Sequence, residues 1–204
     1  MICQYPFRAE RYKITTVYGK AGSWACGWHP GTDFVGLESQ QVYPIAAGTV
    51  IKAVEDDEHY GNYLRVKHVD EDGTVYISHY AHLASLAVAA GDEVDLDTLL
   101  GIEGETGNAS GVHLHLEVHR GAWKYPSGCT VKEATWILDP NEFISERLED
   151  EEVAETRYNT VDELPAWAQE PLQKLIDDGK LAESDEMDLS YDMVRLLVVM
   201  SRLI

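Results

Sequence analysis

No stretch of the chain is long and apolar enough to span a bilayer. The start, Met1-Ile2-Cys3-Gln4-Tyr5-Pro6-Phe7-Arg8, lacks the basic opening and apolar run of a secretory signal. Positive charge is scarce: Lys and Arg number 16 against 36 Asp and Glu, a formal net charge of -20, and no Lys/Arg cluster interrupts it. Such a chain repels phosphate backbones and anionic headgroups, so nucleic acid and membrane surfaces are poor candidate partners, and without a spanning stretch no membrane insertion is expected. Cysteine is sparse as well. Cys3, Cys26 and Cys129 contain no C-x-x-C pair, so a thiolate metal site and a redox dithiol are both excluded, and the three read as free thiols. Cys26 lies three residues before His29 and reads as a small packed residue.

Low complexity and a repeat of fixed period are also missing. A length of 204 residues, 45% hydrophobic and 25% charged, fits one main globular domain with a small appendage. From Ile14 to about Val118, short β-rich runs alternate with Gly, Asn and Asp, as in an antiparallel sheet. Expected strands are Gln41-Tyr43, Gly48-Val54, Asn62-His68, Thr74-Tyr80 and Val112-Val118, with Val69-Asp70-Glu71-Asp72-Gly73 as a hairpin connection. The chain therefore reads as mainly β, an antiparallel β-sheet domain over 1–150, plus a small α-helical C-terminal segment over 151–204.

The acidic run Glu146 to Glu155 reads as a solvated linker between them, with the boundary near 150 to 158. Beyond it, Thr160-x-x-Glu163 has the form of a capping box ahead of Leu164, Trp167, Leu172, Leu175 and Ile176, with Gly179 as a stop and Pro171 as a strain on the helix. Ser190 caps a last expected helix, whose Met193, Leu196, Leu197, Met200 and Leu203 form one apolar stripe.

Chemistry concentrates in three places. His29-Pro30-Gly31-Thr32-Asp33 is an H-x-x-x-D in a Gly/Pro-rich turn, where imidazole and carboxylate can converge on one cation. Val112-His113-Leu114-His115-Leu116-Glu117-Val118 alternates strictly, so the apolar set faces the core while His113, His115 and Glu117 share the other face at intervals of roughly 7 Å. That spacing is too wide for both imidazoles to bind one ion at about 2.1 Å, so one is expected to bind metal and the other to work beside it. In Thr74 to Leu83, two histidines compete. Continued alternation puts His79 with Val75, Ile77, Ala81 and Leu83, expected to be the core face, and His82 with Tyr76, Ser78 and Tyr80 toward the cleft. His59, His68 and His119 have no partner at ligand spacing and read as surface or structural.

These segments resemble the lysostaphin-type (LytM-like) zinc metalloendopeptidases, peptidoglycan hydrolases of bacteria and phages. The likeness runs through His29-Pro30-Gly31-Thr32-Asp33-Phe34, Val42 to Val50, Tyr60-Gly61-Asn62-Tyr63, Tyr80-Ala81-His82-Leu83, Gly91-Asp92-Glu93-Val94, Gly101 to Gly107 and Gly111 to Glu117, about half of the chain. Val112 stands where the family often has Pro. The resemblance implies Zn2+ held by His29, Asp33 and His115, with His113 and His82 as catalytic histidines. It also implies a narrow groove in the antiparallel β-sheet domain, and Glu117 and Tyr80 are expected beside these residues, behind a ligand or in that groove. The implied reaction is hydrolysis of a peptide bond in stem peptides or cross-bridges.

Two other readings share these residues: a catalytically silent wall-peptide-binding or regulatory module, and a zinc amidase cutting at the sugar-peptide junction. A wall enzyme made in the cytoplasm without a signal would act after lysis or after holin- or exporter-mediated release, which suggests a prophage lysin. For residues 158–204 three roles stay open, binding wall polymer, packing on the catalytic domain or pairing with a second copy in a homodimer, and the sequence does not choose among them.

Overall fold

The computed structural model of the chain describes residues 1–8, 11–148, 160–164, 166–179, 181 and 189. Two compact units divide it, Met1–Glu149 and Asp150–Ile204.

The first unit is built on strands β1 (Tyr12–Thr16), β2 (Thr32–Gly36), β3 (Gln41–Val42), β4 (Gly48–Asp57), β5 (Gly61–Val69) and β6 (Val75–Leu83). After them come β7 (Ser85–Leu86), β8 (Glu93–Val94), β9 (Gly101–Ile102), β10 (Leu114–Arg120) and β11 (Ile137–Leu138), then the short helix α1 (Pro140–Ser145). One antiparallel sheet runs β1-β2-β10-β6-β5-β4-β8, with β11 on β10, and a smaller sheet runs β3-β9-β7. This is the mainly β, antiparallel fold that the punctuation of the sequence indicated.

The expected hairpin is present, with Val69 opposite Val75 and Gly73 at a φ of 83°. Strands β4, β5 and β6 each extend beyond the residues expected of them, to Asp57, to Gly61 and Val69, and to Leu83, because cross-strand pairing continues that far. Helix α1 begins where Pro140 occupies the first turn and the Asp139 side chain accepts the Asn141 N–H at 2.9 Å, which together fix its start.

One face of the main sheet carries the hydrophobic core. Phe34, Val50, Leu64, Val66, Tyr76, Tyr80, Leu114, Leu116 and Val118 pack there against Val42, Ile45, Leu100, Phe143 and Ile144. Two expectations fail here. Val112 is 43% exposed and precedes β10, so it does not join Leu114, Leu116 and Val118 in the core. Tyr80 is fully buried in that core, where its Oη accepts the Ile45 N–H at 2.8 Å, so it does not line a groove.

The faces of β6 are the reverse of what alternation suggested. Cross-strand pairs share a face, and Tyr80 and Ser78 stand opposite Leu116 and Val118, whereas His79 stands opposite Glu117 and Ala81 opposite His115. His79 is therefore on the opposite face from the core, not in it. His82 would follow Tyr80 into the core, but the β5–β6 register shifts between Asn62 and Leu64 and His82 takes a φ of 64°. That single left-handed residue breaks the period and turns the ring to the His115 side.

In the second unit, α2 (Ala166–Asp177) follows a short 3-10 turn at Val161–Glu163. Leu164, Ala168, Leu172 and Leu189 bury one another there. Thr160 makes no side-chain cap bond, so the expected capping box is not formed and the helix starts later, after the 3-10 turn. Gly179, at a φ of 67°, stops the helix as expected, and Pro171 lies inside it. The boundary at 150–158, most of the acidic run, the Trp167 side chain, the Ser190-capped helix with its stripe, and most of the surface expected for wall polymer or a second copy lie outside the described residues.

Candidate metal centre and its surroundings

Strand pairing assembles the centre. His115 of β10 stands directly opposite Asp33 of β2, so both side chains leave the sheet on the same face. His29 comes from the loop before β2, its backbone pinned by His29 N–H to Lys20 O and Gly19 N–H to His29 O, both 2.9 Å. Between them, Gly31 permits the approach: a Cβ there would lie 2.3 Å from the Leu116 carbonyl oxygen and 2.8 Å from the His115 ring. The glycine of H-P-G-T-D is thus required by close backbone packing.

Three ligand atoms converge. His29 Nε2 lies 3.0 Å from His115 Nδ1 and 3.0 Å from Asp33 Oδ1, and His115 Nδ1 lies 2.9 Å from Asp33 Oδ1. Donors at 2.0–2.1 Å around a tetrahedral ion stand about 3.3 Å apart, so two imidazole nitrogens and one carboxylate oxygen at these separations fit Zn2+ with little movement. Among the described residues this is the one cluster of His, Cys, Asp or Glu so arranged.

The outer nitrogens settle the tautomers. His29 Nδ1–H donates to Val17 O at 3.1 Å, leaving Nε2 for the centre. His115 Nε2–H donates to Glu117 Oε1 at 3.1 Å, leaving Nδ1 for the centre. Burial opposes charge on His115, but its hydrogen bonds to Asp33 and Glu117 outweigh that, raising its pKa to about 9. A cation held by the three atoms takes the place of the Nδ1 proton. Burial would also raise the Asp33 pKa, yet His115 and His29 together hold it well below the usual carboxylate range.

Two further imidazoles border the centre. His113 Nδ1–H donates to Gly111 O at 2.7 Å, and its Nε2 lies 3.8 Å from Asp33 Oδ1. His82 Nδ1–H donates to Thr106 O at 2.8 Å, and its ring centroid is 4.8 Å from that of His113. In the neutral form each therefore presents an Nε2 lone pair. For His82, burial and then the charge of His115 lower the pKa to about 4. The five residues singled out in the sequence are thus brought together, although His82 arrives by a bulge that alternation did not anticipate.

Sequence reasoning placed Glu117 behind a ligand, as found, but missed the residues that surround it. Glu117, fully buried, accepts four hydrogen bonds: His115 Nε2–H and Tyr60 O–H (2.9 Å) at Oε1, and His119 Nε2–H (2.7 Å) and Trp123 Nε1–H (2.9 Å) at Oε2. His119 is thus a partner of the layer behind the centre. The signal was available in the same alternation, since His119 continues the His113, His115, Glu117 face. Tyr60 and Trp123 lie too far away in sequence for any spacing rule to find them. Cys26 is packed beside Trp28, its Sγ 2.9 Å from the Trp28 carbonyl oxygen, as its small size suggested.

Residues 27–126 match Peptidase family M23. Over 90 residues the chain is 33% identical to the peptidoglycan DD-endopeptidase ShyA of Vibrio cholerae serotype O1, covering 44% of this chain and 20% of that protein. Over 92 residues it is 33% identical to the murein hydrolase activator NlpD of Escherichia coli, covering 45% and 23%. The chain thus spans about a fifth of the length of these curated relatives. Among solved structures, the catalytic domain of lysostaphin from Staphylococcus simulans superposes with a TM-score of 0.54 at 25% identity, covering 66% of this chain and 92% of that one. The stretch that holds His29, Asp33, His82, His113 and His115 is a peptidase M23 domain.

Proposed function

We propose that the protein is a zinc-dependent endopeptidase that hydrolyses peptide bonds in peptidoglycan stem peptides or cross-bridges. The observation that carries this reading is the convergence of His29 Nε2, Asp33 Oδ1 and His115 Nδ1 within 3.0 Å of one another, beside two imidazoles with free Nε2 atoms. His29, Asp33 and His115 would hold the ion. When bound, Zn2+ supplies Lewis acidity toward a water molecule and toward the scissile carbonyl.

The chain's own residues do the rest. His113, its Nδ1–H anchored on Gly111, takes the proton of the attacking water at Nε2. His82, anchored on Thr106, faces the same space and stabilises the developing oxyanion or returns a proton to the leaving amine. Glu117 keeps His115 in the tautomer that leaves Nδ1 to the ion. Asp33 gives the site its one negative charge, leaving a bound zinc site at about +1.

The likeness to NlpD favours a second reading, a regulatory module that binds wall peptides without cutting them. Zinc-loaded protein incubated with purified peptidoglycan separates the two. New amino groups and stem-peptide fragments by mass spectrometry support the peptidase. Stoichiometric zinc with no product supports the module, and cleavage at the lactyl–L-alanine bond would instead make it an amidase.

A further inference from the structure

Arg65 stands out in a chain with a net charge of -20. Its side chain is half-buried on the face that carries the metal centre, since Arg65 pairs with His79 and His79 with Glu117, and Glu117 and His115 share a face of β10. The guanidinium lies 3.5 Å from the centre of the Trp123 ring and 5.1 Å from that of Tyr63, which fixes its plane. Its Nε–H donates to His79 Nδ1 at 3.1 Å, and among the described residues this is its one hydrogen bond.

No ion pair involves Arg65 among the described residues. Glu117, the buried carboxylate in the same row, is already served by His115, Tyr60, His119 and Trp123, two donors on each oxygen. Both terminal nitrogens of Arg65 are therefore left to an outside acceptor. Lys52 is paired directly with Arg65 on β4, is exposed, and holds its Nζ 5.4 Å over the Tyr63 ring, so a second cation borders the first.

A partly desolvated, rigidly stacked guanidinium with both ends unspent suits a carboxylate held by two parallel hydrogen bonds. Two strands across at about 4.8 Å each and one two-residue step of about 7 Å separate Arg65 from His115 in the sheet, roughly 12 Å, the reach of three or four extended residues.

We propose that Arg65, assisted by Lys52, is a carboxylate-binding subsite on the face of the sheet that carries the metal centre, which selects peptide substrates with a free carboxylate a few residues from the bond presented to His82 and His113. The inference rests on the peptidase reading for the identity of the ligand, an anionic wall peptide. In the elsewhere acidic chain, this local pair of cations gives such a peptide one attractive end and one register.

The test separates binding from turnover. Zinc-loaded full-length protein carrying His113→Ala is titrated by calorimetry with purified stem-peptide dimers, either with free carboxylates or with the same groups amidated. The subsite predicts about ten-fold or greater tighter binding of the free form. Arg65→Gln in that background is expected to erase the preference, Arg65→Lys to retain part of it, and Lys52→Gln, at an exposed position, to reduce it a few-fold. Equal binding of the two forms, or a preference that survives both Arg65→Gln and Lys52→Gln, would overturn the proposal. Turnover by the protein with His113 intact is scored separately, so absence of hydrolysis counts against the peptidase reading alone.

Discussion

Glu117 shows how much one side chain can carry. Its carboxylate is buried, and burial alone would push its pKa up, but the hydrogen bonds from His115 and His119 hold it well below the usual range. Glu117→Gln keeps the shape, removes the charge, and turns an NH2 group toward two of the four donors. Zinc affinity is then expected to fall roughly 10–100-fold, measured by competition with a chromogenic chelator. An unchanged affinity would mean that His115 is oriented by packing alone. Gly31 makes the complementary case for backbone. Gly31→Ala forces a Cβ against the Leu116 carbonyl and the His115 ring, so it should lower stability by about 1–3 kcal/mol in a denaturant titration and loosen the metal centre with it.

At the scale of elements, the bulged end of β6 is the part of the site that periodicity could not give. Four of the five central residues were legible because each sits in a short motif: His29 and Asp33 in one turn, His113 and His115 in one alternating run. His82 was legible as a candidate, yet for the wrong reason, because alternation assigned it the face that Tyr80 uses for the core. A register shift and one left-handed residue supersede the two-residue period, and nothing local in the sequence announces them.

That conformation predicts a dissociation between stability and function. His82→Ala and His82→Gly should both lose turnover, but the glycine variant should be the more stable by about 1 kcal/mol, because only glycine adopts a φ of 64° without strain. Equal melting temperatures would argue against strain at this position.

The β5–β6 pair also stores an acid sensitivity. His68, fully buried, bonds Ala47 O through Nδ1 and Ser78 Oγ through Nε2, and burial lowers its pKa from 6.5. The unfolded chain therefore binds a proton near pH 6.5 that the folded chain refuses. The contribution of His68 is complete above about pH 6.5 and falls as the pH drops toward the folded pKa, by at most about 1.4 kcal/mol per pH unit. His79 acts in the same direction. Denaturant titrations between pH 7.5 and 5.5 should show that loss, and His68→Gln should make it shallower. An identical slope in the variant would remove His68 from the account.

For the whole molecule, the mainly β, antiparallel fold was readable because its first 148 residues are punctuated so regularly by glycine and turn residues. The second unit was readable only as helical, with its start misjudged because Thr160 opens a 3-10 turn instead of α2. The strong acidity, read as disfavouring nucleic acid partners, concealed a place where positive charge gathers, since Lys52 and Arg65 are separated in sequence and brought together by the β4–β5 pairing.

The claim on which the rest depends is that His29, Asp33 and His115 hold one zinc ion and, with His82 and His113, cut a peptide bond in peptidoglycan. The direct measurement is mass spectrometry of purified peptidoglycan digested with zinc-loaded protein, with metal content determined on the same sample. One zinc per chain and fragments cut within the stem peptide or cross-bridge, both lost with chelator or in His115→Ala, are the predicted result. Peptide cleavage that persists in His115→Ala and with chelator, or zinc-loaded protein that yields no peptide fragments, would contradict it.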